Sequence, residues 1–342
     1  MTLYDQERIA SADKVEIKPL FEEVYQRLLG PDYERFLKYS FMYLRKCIRV
    51  NTLKISVEEM KTRLEEYGWV LQAVPWCKEG FYIQGHKTQH RFDIGNMVEH
   101  AMGYFYVQEA ASMLPPVALF TNEDGSWQEP QEGLRVLDTC AAPGSKTTQL
   151  AQYMNNEGLL IANDVAVGRL RPLTMNLQRM GVTNALVTMN ALQQSKKSTR
   201  PRNPWDGASF DKILVDAPCS GTGTIRRSFK VMQMYSEGLI RRLVNTQRSL
   251  LAHAWSLLKP GGELVYSTCT QEPAENEVMV SEFLKKHEDA TLQTLPLDIV
   301  RSDAITEWEG EQLHPDIHKC IRIYPQDNDS EGFFVAKLRK KR

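Results

Sequence analysis

Apolar runs alternate with amphipathic segments through the last two thirds of the chain. Five runs predict strands: LRVLD (134–138), GLLIAND (158–164), ALVTMN (185–190), KILVDA (212–217) and ELVYST (263–268). The spacing between them predicts helices from about 145 and over about 167–180, 238–258 and 274–287. Apolar strands separated by helices are typical of a parallel sheet covered on both faces. We therefore expect an α/β fold with a doubly wound, Rossmann-like sheet.

The C-terminal runs have a different arrangement. IHKCIRIYP (317–325) and EGFFVAKLR (331–339) flank the polar turn DNDS. Two short apolar runs around a polar turn predict a β-hairpin. We expect this hairpin at the edge of the parallel sheet.

The N-terminal third mixes both periodicities. Apolar residues at helical spacing, such as Leu20, Val24 and Leu28, alternate with β-like runs such as CIRVNTL (47–53) and GFYI (80–83). This pattern predicts a small α+β module. We place it at residues 1–105 and the α/β domain at residues 106–342.

Composition narrows the class of protein. The 342 residues are 42% hydrophobic and 25% charged, which is typical of globular proteins and excludes disordered and fibrous classes. No apolar run approaches the about 20 residues of a membrane span, and the N-terminus is too charged for a signal peptide. We expect a cytoplasmic protein that does not enter the membrane.

Charge is unevenly distributed, although the net charge is only −1. Residues 195–260 carry 12 basic and 4 acidic side chains, whereas residues 261–342 carry 10 and 16. Clustered positive charge attracts polyanions even when the whole chain is neutral. The middle stretch is therefore the candidate for binding a nucleic acid.

The loop after the first α/β strand has the character of a nucleoside site. Ligands of open α/β sheets bind beyond the carboxyl ends of the strands, and DTCAAPGSKTT (138–148) brings small residues to a helix N-terminus there. Neither GxGxxG nor a P-loop is present, so a pyrophosphate is not expected. Asp164, at the end of the second strand, can bridge two ribose hydroxyls. Together these features indicate S-adenosylmethionine, although Asp138 or Asp164 alone is equally explained as a helix cap.

Two cysteines follow adjacent core strands. Cys219 lies in DAPCSGTG after the fourth strand and Cys269 in STCTQEP after the fifth, so both converge with Asp216 if strands one, four and five are neighbours. A lone cysteine is usually a small buried hydrophobe. A disulfide between the two is the other alternative, against which the cytosolic context counts.

A metal site is not expected. The six cysteines contain no CxxC pair. The histidine pairs His86/His90 and His314/His318, the second followed by Cys320, each lack a full set of ligands.

Taken together, these strings resemble the NOP/Sun (RsmB-like) family of RNA cytosine-5 methyltransferases. The matching segments are DTCAAPGSKTTQL (138–150), IANDVAVGRL (161–170), DAPCSGTGTIRR (216–227), LLKPGGELVYSTCT (257–270), EGFF (331–334), RVNTLK (49–54) and YVQEAASMLPP (106–116). The resemblance implies a methyltransferase domain that transfers a methyl group from S-adenosylmethionine to carbon 5 of cytosine in RNA. GSKTTQL, IANDV and the compact layout resemble the tRNA-modifying branch. Ribosomal RNA is the close alternative, and a non-catalytic RNA-binding assembly factor is the alternative from another class.

The resemblance also implies roles in catalysis. Cys269 in the TC string is the implied nucleophile, which adds to carbon 6 of cytosine and so activates carbon 5. Asp216 would hydrogen-bond ring nitrogen 3, and Lys146 is a cation that would favour the Cys269 thiolate. Cys219 in the PC string is implied in the release of the product.

Contacts to cofactor and RNA follow in the same way. The implied cofactor contacts are Cys140, Ala141, Ala142, Pro143, Gly144, Ser145 and Lys146 for the methionine portion, Asp164 for the ribose, Arg169 nearby, Asp216, and Asn190 where the family usually has Asp near the adenine. A flipped cytosine also needs cations along its flanking strand. We predict Arg49, Lys54, Arg226, Arg227 and Lys230 for that role.

Overall fold

The N-terminal part of the chain forms a small antiparallel sheet with helices around it. We describe a computed structural model, which covers residues 7–88, 93–191, 207 and 209–342. The elements of this part are α1 (Pro19–Leu29), α2 (Tyr33–Ser40), β1 (Cys47–Val50), α3 (Val57–Glu66), β2 (Trp69–Val74), β3 (Cys77–His86), α4 (Val98–Ala101) and β4 (Phe105–Val107). The strand order is β2-β3-β1-β4, with every pair antiparallel. The predicted boundary after residue 105 falls inside β4, and the division into two domains stays a prediction.

The remainder of the chain builds the second, larger sheet. Its elements are α5 (Leu114–Leu119), β5 (Arg135–Asp138), α6 (Ser145–Tyr153), β6 (Leu159–Asn163), α7 (Val167–Met180), β7 (Ala185–Thr188), β8 (Phe210–Asp216), α8 (Lys230–Met234), α9 (Glu237–Leu257), β9 (Leu258–Thr268), α10 (Glu277–Lys286), β10 (Ala290–Gln293), β11 (Glu307–Trp308), β12 (Glu311–Gln312), β13 (Ile321–Ile323), α11 (Pro325–Asn328) and β14 (Phe333–Lys340). Short 3₁₀ turns join several of them.

The large sheet is mostly parallel, as the pattern predicts. Its order is β10-β14-β9-β8-β5-β6-β7, and the five strands from β9 to β7 run parallel. β14 is antiparallel to β9 and to β10, and β13 pairs with the first part of β14. The C-terminal hairpin is therefore present, but the short strand β10, which we had not predicted, shares the edge with it.

Helices cover both faces of this sheet because neighbouring residues of each strand point to opposite sides. On β8, Leu214 packs in the core beneath α5 and α6, whereas Ile213 and Val215 pack in the core beneath α9 and α10. α7 packs on the first face through Leu173 and Leu177. The expectation of a doubly wound sheet is confirmed.

Local chemistry sets the ends of the helices around the sheet. Ser56 and Ser236 accept hydrogen bonds from Glu59 N (3.1 Å) and Leu239 N (3.3 Å), which caps α3 and α9. α6 begins directly after Gly144, whose φ of +106° is open to glycine but strained for other residues. The tight turn before α6 therefore depends on this glycine.

The N-terminal helices pack on the larger part of the chain. α1 buries Phe21, Tyr25 and Leu29, while the predicted stripe Leu20, Val24 and Leu28 lies one position away and is only partly buried. The buried stripe packs in one cluster with residues from the region after β8: Ile225, Met232 and Tyr235. The small module is thus joined to the α/β domain by a shared apolar core.

Arg49 of β1 makes a second, polar junction. Its side chain is fully buried, and its guanidinium donates to Gln108 Oε1 (2.8 Å), Thr148 Oγ1 (2.8 Å) and Gln152 Oε1. Thr148 and Gln152 belong to α6, the helix that follows the predicted cofactor loop. The interpretation of Arg49 as an RNA contact is wrong, because a fully buried guanidinium cannot meet a phosphate on the surface.

No helix in the described ranges is both long and apolar enough to span a bilayer.

Replacing Arg49 by Met tests the polar junction. The substitution should lower the free energy of unfolding by about 1.5–3 kcal/mol or more, the contribution of one hydrogen bond to a charged group. The loss arises because the acceptors on α6 no longer receive a hydrogen bond from the guanidinium. Arg63→Met is the matched control. Arg63 pairs with Glu59 (3.1 Å) along α3 and lies 5.5 Å from the centre of the Tyr104 ring, and a surface ion pair of this kind contributes about 0–1 kcal/mol. Urea denaturation of both variants measures the difference, and equal losses would contradict a structural role for Arg49.

Candidate active site

The strand order places the predicted site at one crevice of the large sheet. The chain runs from β5 outward to β6 and β7, and then returns to the other side of β5 through β8 and β9. Ligands of such sheets bind at the point where the strand order reverses, which here is between β5 and β8. The loops that follow β5, β8 and β9 therefore share one crevice, as expected if strands one, four and five are neighbours.

Cys219 and Cys269 meet in this crevice. Asp216 of β8 is in register with Ser267 of β9, and the loops remain linked beyond the strands because Gly223 N donates to Cys269 O (3.0 Å). The two sulfur atoms lie 3.3 Å apart, within hydrogen-bond distance and well beyond the about 2.05 Å of a disulfide. Both cysteines are therefore free thiols held in contact.

The environment of Cys219 favours its protonated form. The hydrogen bond to Cys269 and then burial raise the pKa of the Cys219 thiol well above its ordinary value. A protonated Cys219 can donate to the sulfur of Cys269. The distance between the two sulfur atoms is by itself compatible with donation from either thiol.

Lys146 and Asp216 form an ion pair across the same crevice. Lys146 Nζ, from the first turn of α6, lies 2.7 Å from Asp216 Oδ2 at the end of β8, while Ser267 Oγ donates to Asp216 Oδ1 (2.8 Å). Burial on its own lowers the pKa of Lys146, but Asp216 and then Cys269 raise it, and the net pKa is above its ordinary value. Lys146 is thus a cation that interacts with both Asp216 and the Cys269 thiol.

The loop after β5 is organised around Asp138. This buried carboxyl accepts hydrogen bonds from Thr147 Oγ1 (2.7 Å) and Cys140 N (3.4 Å), which ties the start of the loop to α6. Burial raises the pKa of Asp138 to about 7, against the opposing effect of Thr147. Asp138 therefore stabilises the conformation of the loop through hydrogen bonds to its buried carboxyl group.

Asp164 organises the other side of the loop. It is buried, and its oxygens accept from Ala142 N (3.2 Å) and Ala166 N (3.0 Å). Arg169, half-exposed, lies 3.3 Å from Asp164 Oδ2 and donates to Ala142 O. Asp164 and Arg169 are thus brought against the loop of residues 140–146, and their contacts with a cofactor stay a prediction.

Asn190 lies just beyond β7 at the same edge of the sheet. Its backbone N–H donates to Asn163 Oδ1 (2.9 Å), and its carbonyl accepts from Asn163 Nδ2 (3.1 Å). The position is therefore fixed by Asn163, a residue that sequence reasoning did not single out.

Glu275 is a site residue that sequence reasoning missed. It is fully buried in the 3₁₀ turn before α10, and it accepts hydrogen bonds from Ser220 N (3.0 Å), from Ser220 Oγ and from Gln247 Nε2 (2.7 Å). Its position six residues after Cys269, in the loop already marked by the TC string, was the available signal. Ser220 directly follows Cys219, so Glu275 touches the loop of the second thiol.

Three of the predicted RNA contacts are engaged in holding the fold. The Arg226 side chain is buried, pairs with Asp329 (2.8 Å) and donates to the carbonyls of Met42 and Tyr43, so its interpretation as an RNA contact is wrong. Lys54 Nζ donates to Met102 O and Arg179 O, both at 2.8 Å, at the end of α7. Arg49 and Arg226 are thus buried in structural roles, whereas Lys54 is exposed and its RNA contact stays a prediction.

The other two predicted RNA contacts remain at the surface. Arg227 is half-exposed and pairs with Glu331, and Lys230 is exposed at the start of α8. Part of the basic stretch, residues 195–206 and 208, lies outside the described residues. Of the remainder, Lys212 is buried against Glu263 (2.5 Å), so the stretch does not form one continuous charged surface.

No cluster of three or more His, Cys, Asp or Glu side chains that could hold a metal ion occurs among the residues the structure covers. His90, one of the histidines considered above, lies outside those residues.

The fold and the site together define a Rossmann-like methyltransferase. A crystal structure of a methyltransferase homologue from Pyrococcus horikoshii is 37% identical, with a TM-score of 0.80 over 97% of this chain and 98% of that one. Residues 126–339 match the family model of the 16S rRNA methyltransferase RsmB/F, and residues 17–110 match that of the N-terminal domain of 16S rRNA methyltransferase RsmF. The chain belongs to the RsmB/F family, as its resemblance to NOP/Sun proteins implied.

Two curated relatives frame the choice of substrate. The tRNA (cytosine(49)-C(5))-methyltransferase of Pyrococcus abyssi is 42% identical over 96% of this chain and 99% of its own length. The ribosomal RNA small subunit methyltransferase F of Erwinia tasmaniensis is 39% identical over 97% of this chain, but this chain spans only 65% of that protein.

Titration of Asp138 provides a test of the site in the ligand-free protein. An acid whose pKa is raised on folding keeps a proton that the unfolded chain has released, so its contribution to stability falls as pH rises from about 4 to about 7. Asp138→Asn cannot titrate. Relative to wild type, the variant should therefore gain stability with rising pH in this window, by up to about 1.4 kcal/mol per pH unit. Denaturant unfolding at pH 5, 6, 7 and 8 measures the difference, and a constant offset at all pH values would contradict the raised pKa.

Proposed function

We propose that this protein methylates carbon 5 of cytosine in RNA, with tRNA as its substrate and S-adenosylmethionine as its methyl donor. The observation that carries the proposal is the contact between the Cys219 and Cys269 thiols beside the Lys146–Asp216 ion pair. Two thiols, a carboxylate and an ammonium at one crevice are the groups that this reaction needs. Membership of the RsmB/F family supports the same reaction.

Carbon 5 of cytosine is a weak nucleophile, so the reaction begins at carbon 6. The Cys269 sulfur adds to carbon 6, and the electrons of the C5–C6 double bond shift toward carbon 5 and the ring. Cys269 is the cysteine of the TC string, and it interacts with both the Lys146 cation and the Cys219 sulfur. This assigns nucleophilic attack to Cys269 rather than to Cys219.

Negative charge that develops on ring nitrogen 3 needs a proton donor. Lys146 has three N–H groups, one of which faces Asp216, and the pair can supply a proton to nitrogen 3 as the sulfur adds and recover it later. Ser267 fixes the Asp216 carboxylate for this task (2.8 Å). The ion pair therefore stabilises the adduct electrostatically.

Release reverses the addition. The carbon 5 proton passes to water, the C5–C6 double bond forms again, and the Cys269 sulfur departs with the electrons of the C–S bond. Cys219, 3.3 Å from that sulfur, is placed to donate its proton to it as the bond breaks. The protonated state of Cys219 thus assists release.

The donor set around the loop of residues 140–146 fits S-adenosylmethionine. The first N–H groups of α6 have no acceptor within the helix and suit a carboxylate. The Asp164 carboxylate offers about four acceptor positions, and Ala142 N, Ala166 N and Arg169 face it, so capacity remains for a ribose hydroxyl. The bound cofactor would supply an electrophilic methyl group at the crevice.

RNA contacts are proposed for exposed cations near the crevice. Arg227 pairs with Glu331, whose neighbour Glu109 receives a hydrogen bond from Glu331 N (3.0 Å). Burial and then Glu109 raise the pKa of Glu331 to about 8.

Lys230, Arg241 and Arg242 are exposed on α8 and α9. These side chains replace the buried Arg49 and Arg226 in the proposed interface, and the exposed Lys54 remains part of it. A cytoplasmic location stays a prediction.

Comparison of two RNA classes tests the proposed substrate. Bisulfite sequencing after incubation with S-adenosylmethionine should find 5-methylcytosine in tRNA transcripts and none in small-subunit rRNA. The match over 99% of the length of the tRNA enzyme from Pyrococcus abyssi supports tRNA rather than rRNA as the substrate. Methylation of rRNA alone would favour the ribosomal substrate, and methylation of neither RNA would favour the non-catalytic assembly factor. A reaction without S-adenosylmethionine is the control for the cofactor.

Substitution of each thiol tests the mechanism. Cys269→Ala should abolish methylation and any covalent complex, because nothing adds to carbon 6. Cys219→Ala should still add and methylate but release slowly, so protein accumulates on its RNA. Denaturing, non-reducing gels show the adduct as a slow band that nuclease removes.

Each alternative for the thiols gives a distinct outcome on the same gels. Trapping by Cys269→Ala and not by Cys219→Ala would reverse the two roles. Full activity of both variants would contradict the covalent mechanism. Loss of stability without trapping in either variant would indicate that the cysteines only pack.

A further inference from the structure

Both neighbours of Cys219 are held by one buried carboxylate. Ser220, which follows Cys219, donates to Glu275 through its amide N–H (3.0 Å) and through its hydroxyl. Pro218, which precedes Cys219, has its carbonyl bonded to Gln247 Nε2 (2.9 Å), and the same amide group donates to Glu275 Oε2 (2.7 Å). The backbone on either side of the thiol therefore converges on Glu275.

Glu275 is itself fixed from beneath. Its carbonyl accepts a hydrogen bond from Tyr266 OH (2.7 Å) on β9, and both Glu275 and Gln247 are fully buried. A carboxylate without exposure to water keeps its orientation through the hydrogen bonds it accepts. The position of the Cys219 loop is thus tied to the rigid sheet rather than to solvent.

A hydroxyl chain links this anchor to the Cys269 loop. Ser220 Oγ lies 2.7 Å from Thr270 Oγ1, and Thr270 Oγ1 lies 2.8 Å from Thr222 Oγ1. Thr270 directly follows Cys269. Glu275, through Ser220, therefore sets the separation of the two loops that carry the thiols.

From this geometry we infer that Glu275 is the positioning residue for Cys219, and that it acts on the release step by holding the Cys219 S–H against the sulfur of Cys269. This inference rests on the proposed function. Glu275 is fully buried, and its carboxylate contacts Ser220 and Gln247 rather than either thiol. Its loss should therefore slow release more than it slows addition.

Two variants weaken the anchor in different ways. Glu275→Gln keeps the size of the side chain but replaces one acceptor oxygen by a donor NH₂, which opposes the N–H groups of Ser220 or Gln247. Ser220→Ala removes only the hydroxyl and keeps the amide hydrogen bond, so it tests the anchor even if Glu275→Gln does not fold. Glu272→Gln is the matched control, because Glu272 is buried in the same loop but bonds to Tyr235 OH (2.6 Å).

The experiment is single-turnover methylation of tRNA by wild type, Cys219→Ala and these three variants, with adduct and methylated product followed over time on denaturing gels. Glu275→Gln should release its RNA roughly tenfold more slowly than wild type, the effect of one lost hydrogen bond, and form the adduct at a rate close to wild type. Ser220→Ala should show the same change to a smaller extent, and Glu272→Gln should release like wild type.

The outcomes separate this inference from the proposed function. If wild type makes no methylcytosine and Cys219→Ala forms no adduct, the proposed function fails. If those two behave as expected but Glu275→Gln and Ser220→Ala release at the wild-type rate, the positioning role is overturned. It is also overturned if the rates of addition and release fall by the same factor, or if Glu272→Gln accumulates the same adduct. In either case a general loss of structure explains the change.

Discussion

The catalytic crevice depends on the hydrogen-bonded register between β8 and β9. The two strands run parallel with Asp216 opposite Ser267, and each carries its cysteine within three residues of that pair. Because parallel strands in register end at the same level, the two loops start side by side and need only short bonds, such as Ala217 N to Ser267 O (2.9 Å), to remain so. A slip of one residue would turn every side chain of one strand to the other face and separate the thiols. The pairing of the two strands thus determines whether the two cysteines can meet, whatever the chemical properties of their thiols.

Burial then gives these groups their chemical states. Asp138 and Glu275 both lie where water cannot solvate a charge, and burial raises the pKa of each to about 7. Each receives hydrogen bonds that oppose the shift without cancelling it. Lys146 is different, because Asp216 beside it more than offsets the effect of burial. The crevice therefore combines a lysine whose pKa is raised with two carboxyls whose pKa values lie near neutral pH.

Sequence patterns predicted the elements that depend on neighbouring residues, and they missed the contacts between residues that are far apart in the chain. The parallel sheet and the helices α6, α7 and α9 follow from periodicity and from the rules of parallel sheets. The convergence of Cys219 with Cys269 could be predicted only on the condition that strands one, four and five are neighbours, which the strand order meets. Arg49 and Arg226 were misread because charge in a sequence does not say which cations are buried; their acceptors lie about 60 to 180 residues away. Glu275 was missed for the same reason, since Ser220 is 55 residues distant. In α1 the more deeply buried stripe is Phe21, Tyr25 and Leu29. The surface on which the helix packs decides which stripe is buried, and the sequence of the helix alone does not.

The contact between Tyr25 and Thr222 has a consequence for how the chain is made. The Tyr25 hydroxyl, fully buried, donates to Thr222 Oγ1 in the loop that also carries Cys219, and the two residues are 197 positions apart. A ribosome adds about 5–20 residues per second, so α1 exists for roughly 10–40 s before its binding surface has been synthesised. During that interval the aromatic stripe of α1 can pack only against its neighbour α2, whose Phe36 stacks on Tyr25 with ring centroids 5.5 Å apart. α1 therefore completes its packing only after the loop that carries Cys219 has been synthesised.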